Sequence, residues 1–180
     1  MSYAAAARRF RVPVGFVVAV LYVLLARPSW RSILYGSIII LPALLLRTAA
    51  SGHVKKNQEV TTSGPYAYTR NPLYLGSMIL MIGFGVASQN WWLAASLVIV
   101  FIALYWPVMR VEEHYLRQQF PEFESYAQRV PRILPRARAQ GTSSAAFSPE
   151  LYRKHREYNA ALGSVGMMIL LILKLKFLSR

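Results

Sequence analysis

Five apolar stretches, flanked by basic and aromatic residues, constrain the fold of this chain more than any other feature. They cover residues 12–26, 30–46, 72–87, 91–109 and 160–173. A helix needs roughly 20 apolar residues to cross a hydrocarbon core about 30 Å thick, and flanking Arg, Tyr and Trp side chains extend shorter stretches into the interface. The sequence therefore predicts an all-α, polytopic integral membrane protein with about five transmembrane helices.

The last apolar stretch allows two arrangements. It forms either a fifth span, with Lys174 and Lys176 reaching to the interface, or a helix that lies in the plane of the interface. We favour the span. Residues 137–149 are small, contain serine and have few large apolar groups, which is typical of a flexible linker. We expect a single membrane domain, 1–180, with two spans in 1–46, a motif-bearing core in 47–136, this linker, and a C-terminal helix or span in 150–180.

The charge of the chain is strongly positive. There are 21 Lys and Arg residues against 7 Asp and Glu, a formal net charge of +14, while 55% of the residues are hydrophobic. Proteins that bind nucleic acid concentrate such charge on a soluble face or a basic helix, whereas here it brackets apolar stretches. That pattern favours anionic lipid headgroups, so we expect a membrane and no nucleic acid as partner.

Metal and thiol chemistry have little support in the sequence. The chain has no cysteine, which excludes disulfides, thiolate nucleophiles and cysteine-based metal sites. Its three histidines, His53, His114 and His155, are not spaced as metal ligands. We therefore expect no metal site.

Basic residues are distributed unevenly between the loops. The turn at residues 88–90 has none, whereas the loop at 47–70 contains Lys55 and Lys56 and the segment 110–158 is rich in arginine. By the positive-inside rule, the amino terminus and these two basic segments face the cytoplasm. The sequence therefore predicts an integral protein of the cell inner membrane with any site in these segments on the cytoplasmic side.

The loop before the third apolar stretch has an unusual sequence, GPYAYTRNPLYLG, at residues 64–76. Its Gly-Pro opening prevents an early helix, and Pro72 suits the first turn of the helix that follows. Arg70 and Asn71 consequently lie at a helix start, where free N–H groups and the helix dipole favour an anion such as a carboxylate. The alternative is that Arg70 only anchors the span at the cytoplasmic interface.

Two adjacent glutamates, Glu112 and Glu113, follow the fourth apolar stretch at the same membrane side. A helix carboxyl end disfavours anions, so these carboxylates need a cation. Candidates are a positively charged ligand or the side chains of Arg70, Arg110, Lys55 and Lys56. A structural salt bridge would satisfy them, as would a ligand that carries both a carboxylate and a cation.

Taken together, these motifs resemble the isoprenylcysteine carboxyl methyltransferase and phospholipid methyltransferase superfamily of integral membrane enzymes. The similarity runs over residues 47–135 and keeps both the order and the spacing of the family's elements. The matching residues are Gly64-Pro65-Tyr66, Arg70-Asn71-Pro72-Leu73-Tyr74-Leu75-Gly76, Glu112-Glu113 with Leu116, Tyr126, and Val130-Pro131-Arg132-Ile133-Leu134-Pro135.

The resemblance implies S-adenosyl-L-methionine as cofactor, bound at the cytoplasmic side, and a lipophilic acceptor that enters from the bilayer. In this hypothesis Arg70 and the helix start bind the cofactor's carboxylate, Glu112 or Glu113 binds its ammonium group, and residues 58–66 with Tyr74 surround the adenosine. The implied catalytic residues are Arg70, Asn71 and Glu113. The implied cofactor-binding residues are Gln58, Val60, Gly64, Pro65, Tyr66, Arg70, Asn71, Pro72, Tyr74, Gly76, Glu112 and Glu113.

Asn71 departs from the pattern, since carboxyl methyltransferases usually have histidine there. Asparagine does not titrate near neutral pH, so hydrogen bonding is a better expectation for it than proton transfer. We expect methyl transfer to a lipophilic acceptor, similar to that of the carboxyl methyltransferases. The alternatives are a phospholipid amine N-methyltransferase, an NADPH-dependent enzyme similar to the sterol reductases, and a non-catalytic membrane scaffold.

Overall fold

The computed structural model describes residues 3–55, 58–140 and 145–177, with the backbone alone for 3–12. Lys56, a predicted loop cation, and residues 141–144 of the predicted linker lie outside these ranges. The described residues form seven α-helices and a 3-10 turn at Gly64–Ala67, with no β-strand, so the predicted all-α class is confirmed. The helices are α1 Tyr3–Leu25, α2 Trp30–Ser51, α3 Pro72–Ser88, α4 Trp91–Gln119, α5 Phe123–Arg129, α6 Pro149–Lys154 and α7 Tyr158–Phe177.

Three of the described helices, α2, α4 and α7, are long and apolar enough to cross a membrane. The apolar part of α1, Pro13–Leu25, and the whole of α3 are shorter. The outer face of α2 carries Leu34, Ile38 and Leu41, each about three-fifths exposed, at the spacing of a single helix face. Such a large exposed apolar face is expected where a helix contacts lipid.

Helices α2 and α3 pack closely because glycines lie between them. A Cβ atom at Gly36 would lie 2.6 Å from Ala87 Cβ, and one at Gly83 would lie 2.6 Å from Ile40 Cγ1. Small residues at such positions let two membrane helices approach until their backbones nearly touch. The two ends of the loop that connects α2 to α3, residues 52–71, are thereby held close together.

Helix α4 carries the two glutamates past the membrane core. Its 29 residues make it about 43 Å long at the usual rise of 1.5 Å per residue, which exceeds a hydrocarbon thickness of about 30 Å. Pro107 lies inside the helix without ending it. The apolar part is 91–109, so Glu112 and Glu113 lie on a continuous helix beyond the spanning segment.

Helix α7 returns the chain across the bundle, beside α1 and α2. Leu171 is fully buried in the core cluster that contains Tyr22 and Leu97. Lys174 Nζ donates hydrogen bonds of 2.7 Å to the carbonyl oxygens of Val23 and Leu24. These are orphan carbonyls of the last turn of α1, so a single lysine caps α1 and fixes the far end of α7.

The glycine packing predicts opposite effects of alanine at two helix positions. Gly36→Ala forces α2 away from α3, and we expect a loss of about 1–3 kcal/mol in spite of alanine's better helix propensity. Gly166→Ala in α7 meets nothing within 4 Å, so it should be neutral or stabilising. Thermal unfolding in detergent compares the two variants, and equal unfolding temperatures would contradict the packing described for Gly36.

Candidate functional site

Glu113 is a buried carboxylate shared by three side chains. It is 2% exposed on α4. Arg132 donates to it from Nε at 3.1 Å and from Nη2 at 2.9 Å, and Arg70 donates from Nε at 3.3 Å and from Nη2 at 3.4 Å. Asn71 Nδ2 adds a hydrogen bond of 3.1 Å. A buried charge needs such pairing, because an unpaired carboxylate away from water is very costly.

Arg70 links three segments of the fold. Its Nη1 donates to the carbonyl oxygens of Ala127 at 2.6 Å and Val130 at 3.2 Å, near the end of α5. Its backbone N–H donates to the carbonyl of Pro131 at 2.9 Å. The Arg70 side chain is only 9% exposed, so most of its hydrogen-bonding capacity is used within the protein.

Asn71 occupies the N-cap position of α3 but makes no side-chain cap. Its Nδ2 donates instead to Glu113 Oε1 and to the carbonyl oxygen of Arg132, both at 3.1 Å. An amide nitrogen has two hydrogens, and these two bonds use both. The observed partners of the Asn71 donor are therefore protein groups.

The cluster of Arg70, Asn71, Glu113 and Arg132, here called the Glu113 cluster, carries net positive charge. Burial alone would raise the pKa of Glu113, but hydrogen bonds from Arg132 and the charge of Arg70 outweigh it and hold this pKa below its usual value of 4.5. One carboxylate therefore faces two guanidinium groups at neutral pH. Arg132 is the more accessible of the two, with 31% of its side chain exposed and its guanidinium 5.4 Å from the centre of the Trp106 ring.

Glu112 lies in a different environment, although it is the next residue. It is exposed and accepts a 3.0 Å hydrogen bond from the Tyr74 hydroxyl. The Tyr74 ring lies 5.8 Å from that of Tyr105, which precedes Glu112 by seven residues and shares its helix face. Tyr105 and Glu112 thus lie on one face of α4, here called a stripe, and the buried Glu113 lies on the neighbouring stripe.

Tyr66 connects the 3-10 turn to the same region. Its carbonyl oxygen accepts a 2.7 Å hydrogen bond from the Tyr126 hydroxyl, which fixes the turn against α5. Burial raises the pKa of Tyr66 above its usual range, and the charges of Glu112 and Glu157 raise it further. Both carboxylates therefore lie within electrostatic reach of this hydroxyl.

Three further predicted residues, Gly64, Pro72 and Gly76, have roles in the backbone geometry and packing around these groups. Gly64 has φ +55° and lies under the His53 ring, so glycine suits this backbone position. Pro72 is fully buried at the start of α3. Gly76 faces α2, where a Cβ would lie 2.5 Å from Arg47 Cγ.

Three predicted residues, Gln58, Val60 and Pro65, lie outside the Glu113 cluster. Gln58 is exposed in the loop, and Val60 packs against the Phe123 and Tyr126 side chains. Pro65 forms the 3-10 turn, where its carbonyl accepts from the backbone N–H of Tyr68 at 3.1 Å. Contacts with a cofactor at all three positions stay a prediction.

Three charged residues were not predicted as part of a site. Arg132 lies in the Val130-Pro131-Arg132 motif, which supports the family resemblance and could have indicated this residue as part of the site. Arg47 Nε and Glu157 Oε1 form an ion pair of 2.5 Å, although the two residues are 110 positions apart in the sequence. No motif near either residue predicts this pair. Arg47 Nη1 also donates to the Leu73 carbonyl oxygen at 3.1 Å and to the Ser77 hydroxyl.

An apolar cavity of about 310 Å³ lies between α1, α3, α4 and α7. Tyr105 and Asn159 line it at the end nearest to Glu112, and Tyr22 lines it towards the opposite membrane face. None of the lining residues that the structure describes is charged. The lining residues are Val14, Gly15, Val18, Ala19, Tyr22, Leu80, Met81, Phe84, Leu97, Val100, Phe101, Leu104, Tyr105, Asn159, Ala160, Gly163, Ser164 and Met167.

The two adjacent glutamates predict very different stability effects. Glu113→Gln leaves two guanidinium groups without their carboxylate, and we expect a loss of about 3 kcal/mol. The exposed Glu112→Gln is the matched control and should change stability by less than about 0.5 kcal/mol. Chemical unfolding in detergent measures both, and similar losses would contradict the burial described here.

The lowered pKa of Glu113 also fixes a pH dependence. Its stabilising contribution is present above the usual pKa of 4.5 and is lost as the pH falls through the lower pKa of the folded protein. Unfolding measured from pH 7 down to pH 3 should therefore show an acid-sensitive component in the wild type that Glu113→Gln lacks. An identical pH profile for the two proteins would contradict a lowered pKa of Glu113 in the folded protein.

Comparison with known proteins places these residues in a family. The model of the phospholipid methyltransferase family matches residues 33–122, half of the chain. The nickel-cobalt-cadmium resistance protein NccN of Alcaligenes xylosoxydans xylosoxydans is 40% identical over 82 residues, 46% of this chain and 38% of the relative. The cobalt-zinc-cadmium resistance protein CzcN of Cupriavidus metallidurans is 38% identical over the same shares of both chains.

The chain thus covers well under half of the length of these two relatives. No solved structure matches it. Within the described residues, no group of three or more His, Asp or Glu side chains is arranged to hold a metal ion. The family match includes Arg70, Asn71, Glu112 and Glu113 and ends before Arg132. Because the match covers half of the chain, the chain belongs to the phospholipid methyltransferase family of membrane proteins.

Proposed function

We propose that this chain is an S-adenosylmethionine-dependent methyltransferase that modifies a lipophilic acceptor at the membrane. One observation carries the proposal. The net positive Glu113 cluster and the exposed Glu112 carboxylate lie on neighbouring stripes of α4, beside an apolar cavity. Family membership makes methyl transfer the expected chemistry, and the charge arrangement suits the cofactor that such chemistry needs.

The donor set fits a zwitterionic cofactor. The amino acid part of S-adenosylmethionine has a carboxylate that requires a cation and an ammonium group that requires an anion. Arg132 is the accessible guanidinium of the Glu113 cluster, so it would bind the carboxylate. Glu112 would bind the ammonium group, while Tyr66 and Tyr74 would lie beside the adenosine.

This assignment gives the predicted catalytic residues different roles. Most hydrogen-bond donors of Arg70 and Asn71 are bonded to Glu113 and to backbone carbonyl oxygens, which favours a positioning role for both residues. Glu113 would hold Arg132 in place for the ligand. Direct contact of Arg70 or Glu113 with the cofactor remains the alternative that a bound structure decides.

The bound cofactor would supply an electrophilic methyl group on a sulfonium. Transfer by displacement depends mainly on alignment of the acceptor atom, and a rigid α4 with Tyr105 at the cavity end is suited to hold that alignment. A carboxylate acceptor needs no base. An amine acceptor must lose a proton, and Glu112 is the candidate to take it in addition to binding the cofactor's ammonium group, since its carboxylate has lone pairs beyond the one used by the Tyr74 hydroxyl at 3.0 Å.

The acceptor's lipophilic part would occupy the apolar cavity. Its volume of about 310 Å³ is at the lower end of the roughly 300–1,000 Å³ found for small-molecule sites. The described lining residues are uncharged, so a hydrocarbon chain fits beside them better than an ionic group does. The reacting group would then lie near Tyr105 and Glu112, where the cavity meets the polar loops.

We further propose five spans with the site at the cytoplasmic face of the inner membrane. Helices α2, α4 and α7 are each long enough to cross the membrane. The shorter apolar helices α1 and α3 would cross it beside them. The basic loops on the Glu112 side and the uncharged turn at 88–90 support this orientation. The names of the two relatives refer to metal resistance. Among the described residues of this chain, no group of three or more His, Asp or Glu side chains could hold a metal ion.

Cofactor binding is tested by calorimetry with S-adenosylhomocysteine in detergent. We expect the wild type to bind and Glu112→Gln to bind about tenfold more weakly, because one charge-assisted contact of about 1.4 kcal/mol is lost. Glu150→Gln, an exposed glutamate in α6, is the matched control and should bind as the wild type does. Absence of binding to the wild type at millimolar ligand would refute the proposal and favour a scaffold.

Methyl transfer itself is tested with membranes that contain the protein and methyl-labelled S-adenosylmethionine. We expect label in a lipid-extractable product, abolished by Glu112→Gln if the acceptor is an amine and retained in part if it is a carboxylate. Base-labile label identifies a methyl ester, and base-stable label identifies an N-methyl group. No labelled lipid, together with hydride transfer from a nicotinamide cofactor, would instead support the reductase alternative.

A further inference from the structure

The Arg47–Glu157 ion pair ties the start of α7 to the region of the site. Its side chains are 18% and 11% exposed, so the pair is largely shielded from water. Arg47 reaches across the first turns of α3 to the Leu73 carbonyl oxygen and the Ser77 hydroxyl. Glu157 immediately precedes α7, whose first turn is consequently fixed against both α2 and α3.

This anchor determines where Asn159 lies. Asn159 is the second residue of α7 and lines the apolar cavity at the same end as Tyr105. Two further lining residues carry a hydroxyl. Tyr22 donates its hydroxyl to the Phe84 carbonyl oxygen at 2.8 Å, near the opposite face, and Ser164 lies one to two turns deeper in α7.

We propose that Asn159 is a specificity-determining residue, which hydrogen-bonds the polar end of a single-chain lipid in the cavity, and that Arg47 and Glu157 are its positioning residues. The inference rests on the proposed function and deepens it. None of these three residues has a role in the sequence motifs, and Glu157 and Asn159 lie beyond the family match at 33–122.

The lining also restricts the class of acceptor. Among the residues whose side chains the structure describes, no arginine or lysine lines the cavity, and the guanidinium groups of Arg70 and Arg132 are directed to Glu113. A phosphodiester at the Asn159 end stays ionised at neutral pH and would have no cation among these lining residues, whereas an amine or a carboxyl group can bind in its neutral form. The site accordingly suits one hydrocarbon chain with a small, phosphate-free polar end, either an amine or a carboxyl group.

Binding of matched twelve-carbon amphiphiles tests the inference without cofactor. The full chain in maltoside micelles is titrated with radiolabelled dodecylamine, dodecanoate and dodecylphosphocholine. We expect dodecylamine or dodecanoate to bind about tenfold more tightly than dodecylphosphocholine, and Asn159→Leu to reduce that preference to about twofold or less. The amine and carboxylate arms distinguish the two sources of a small polar end.

Two glycines provide the control for the place of binding. A side chain added at either Gly163 or Gly166 of α7 meets no atom within 4 Å, but only Gly163 lines the cavity. Gly163→Leu should weaken binding of all three amphiphiles, and Gly166→Leu should not. Tightest binding of dodecylphosphocholine, an unchanged preference in Asn159→Leu, or equal effects of the two glycine variants would each overturn the inference.

The outcome is separable from that of the proposed function. Amphiphile binding is measured with no cofactor present, and S-adenosylhomocysteine binding is measured with no acceptor present. Glu157→Gln should loosen the start of α7 and reduce the preference between amphiphiles while leaving S-adenosylhomocysteine affinity unchanged. Loss of cofactor affinity in this variant would assign Glu157 to the cofactor side and refute a positioning role towards Asn159.

Discussion

A carboxylate buried to 2% exposure sets the geometry of the end of the helix bundle where α3 begins. Glu113 is tolerable there only because Arg70, Arg132 and Asn71 approach it together. Arg70 and Asn71 come from the segment that leads into α3, and Arg132 comes from the segment that follows α5. Glu113 therefore joins the start of α3, the end of α4 and the segment after α5. The close packing of α2 on α3 in turn holds Arg47 of α2 against the first turns of α3.

The consequence for function is a division of roles between two neighbours. Residues next to each other on a helix differ by about 100° in direction, so Glu113 faces the fold while Glu112 faces outward. The buried carboxylate leaves its cluster with net positive charge, and the exposed one provides a negative charge nearby. An unsymmetrical ligand with both charges suits this pair better than two equivalent glutamates would.

Much of this organisation is readable in the sequence. Uninterrupted apolar stretches predicted each long helix, and Pro72 marked the start of α3 because proline favours a first helical turn. Arg70, Asn71 and Glu113 were predicted as candidates, and the structure brings them into contact. Which glutamate is buried depends on the rotation of α4, which packing decides. The Arg47–Glu157 pair depends on the return of α7 to α2, so no local pattern contains it.

The proposed function depends most on which glutamate contacts the cofactor. An experimental structure of the chain with S-adenosylhomocysteine bound tests this directly. We expect the ligand's amino group within hydrogen-bond distance of Glu112, its carboxylate at Arg132, and Glu113 still paired with Arg70. A ligand amino group bound to Glu113, with the pair to Arg70 broken, would contradict the account.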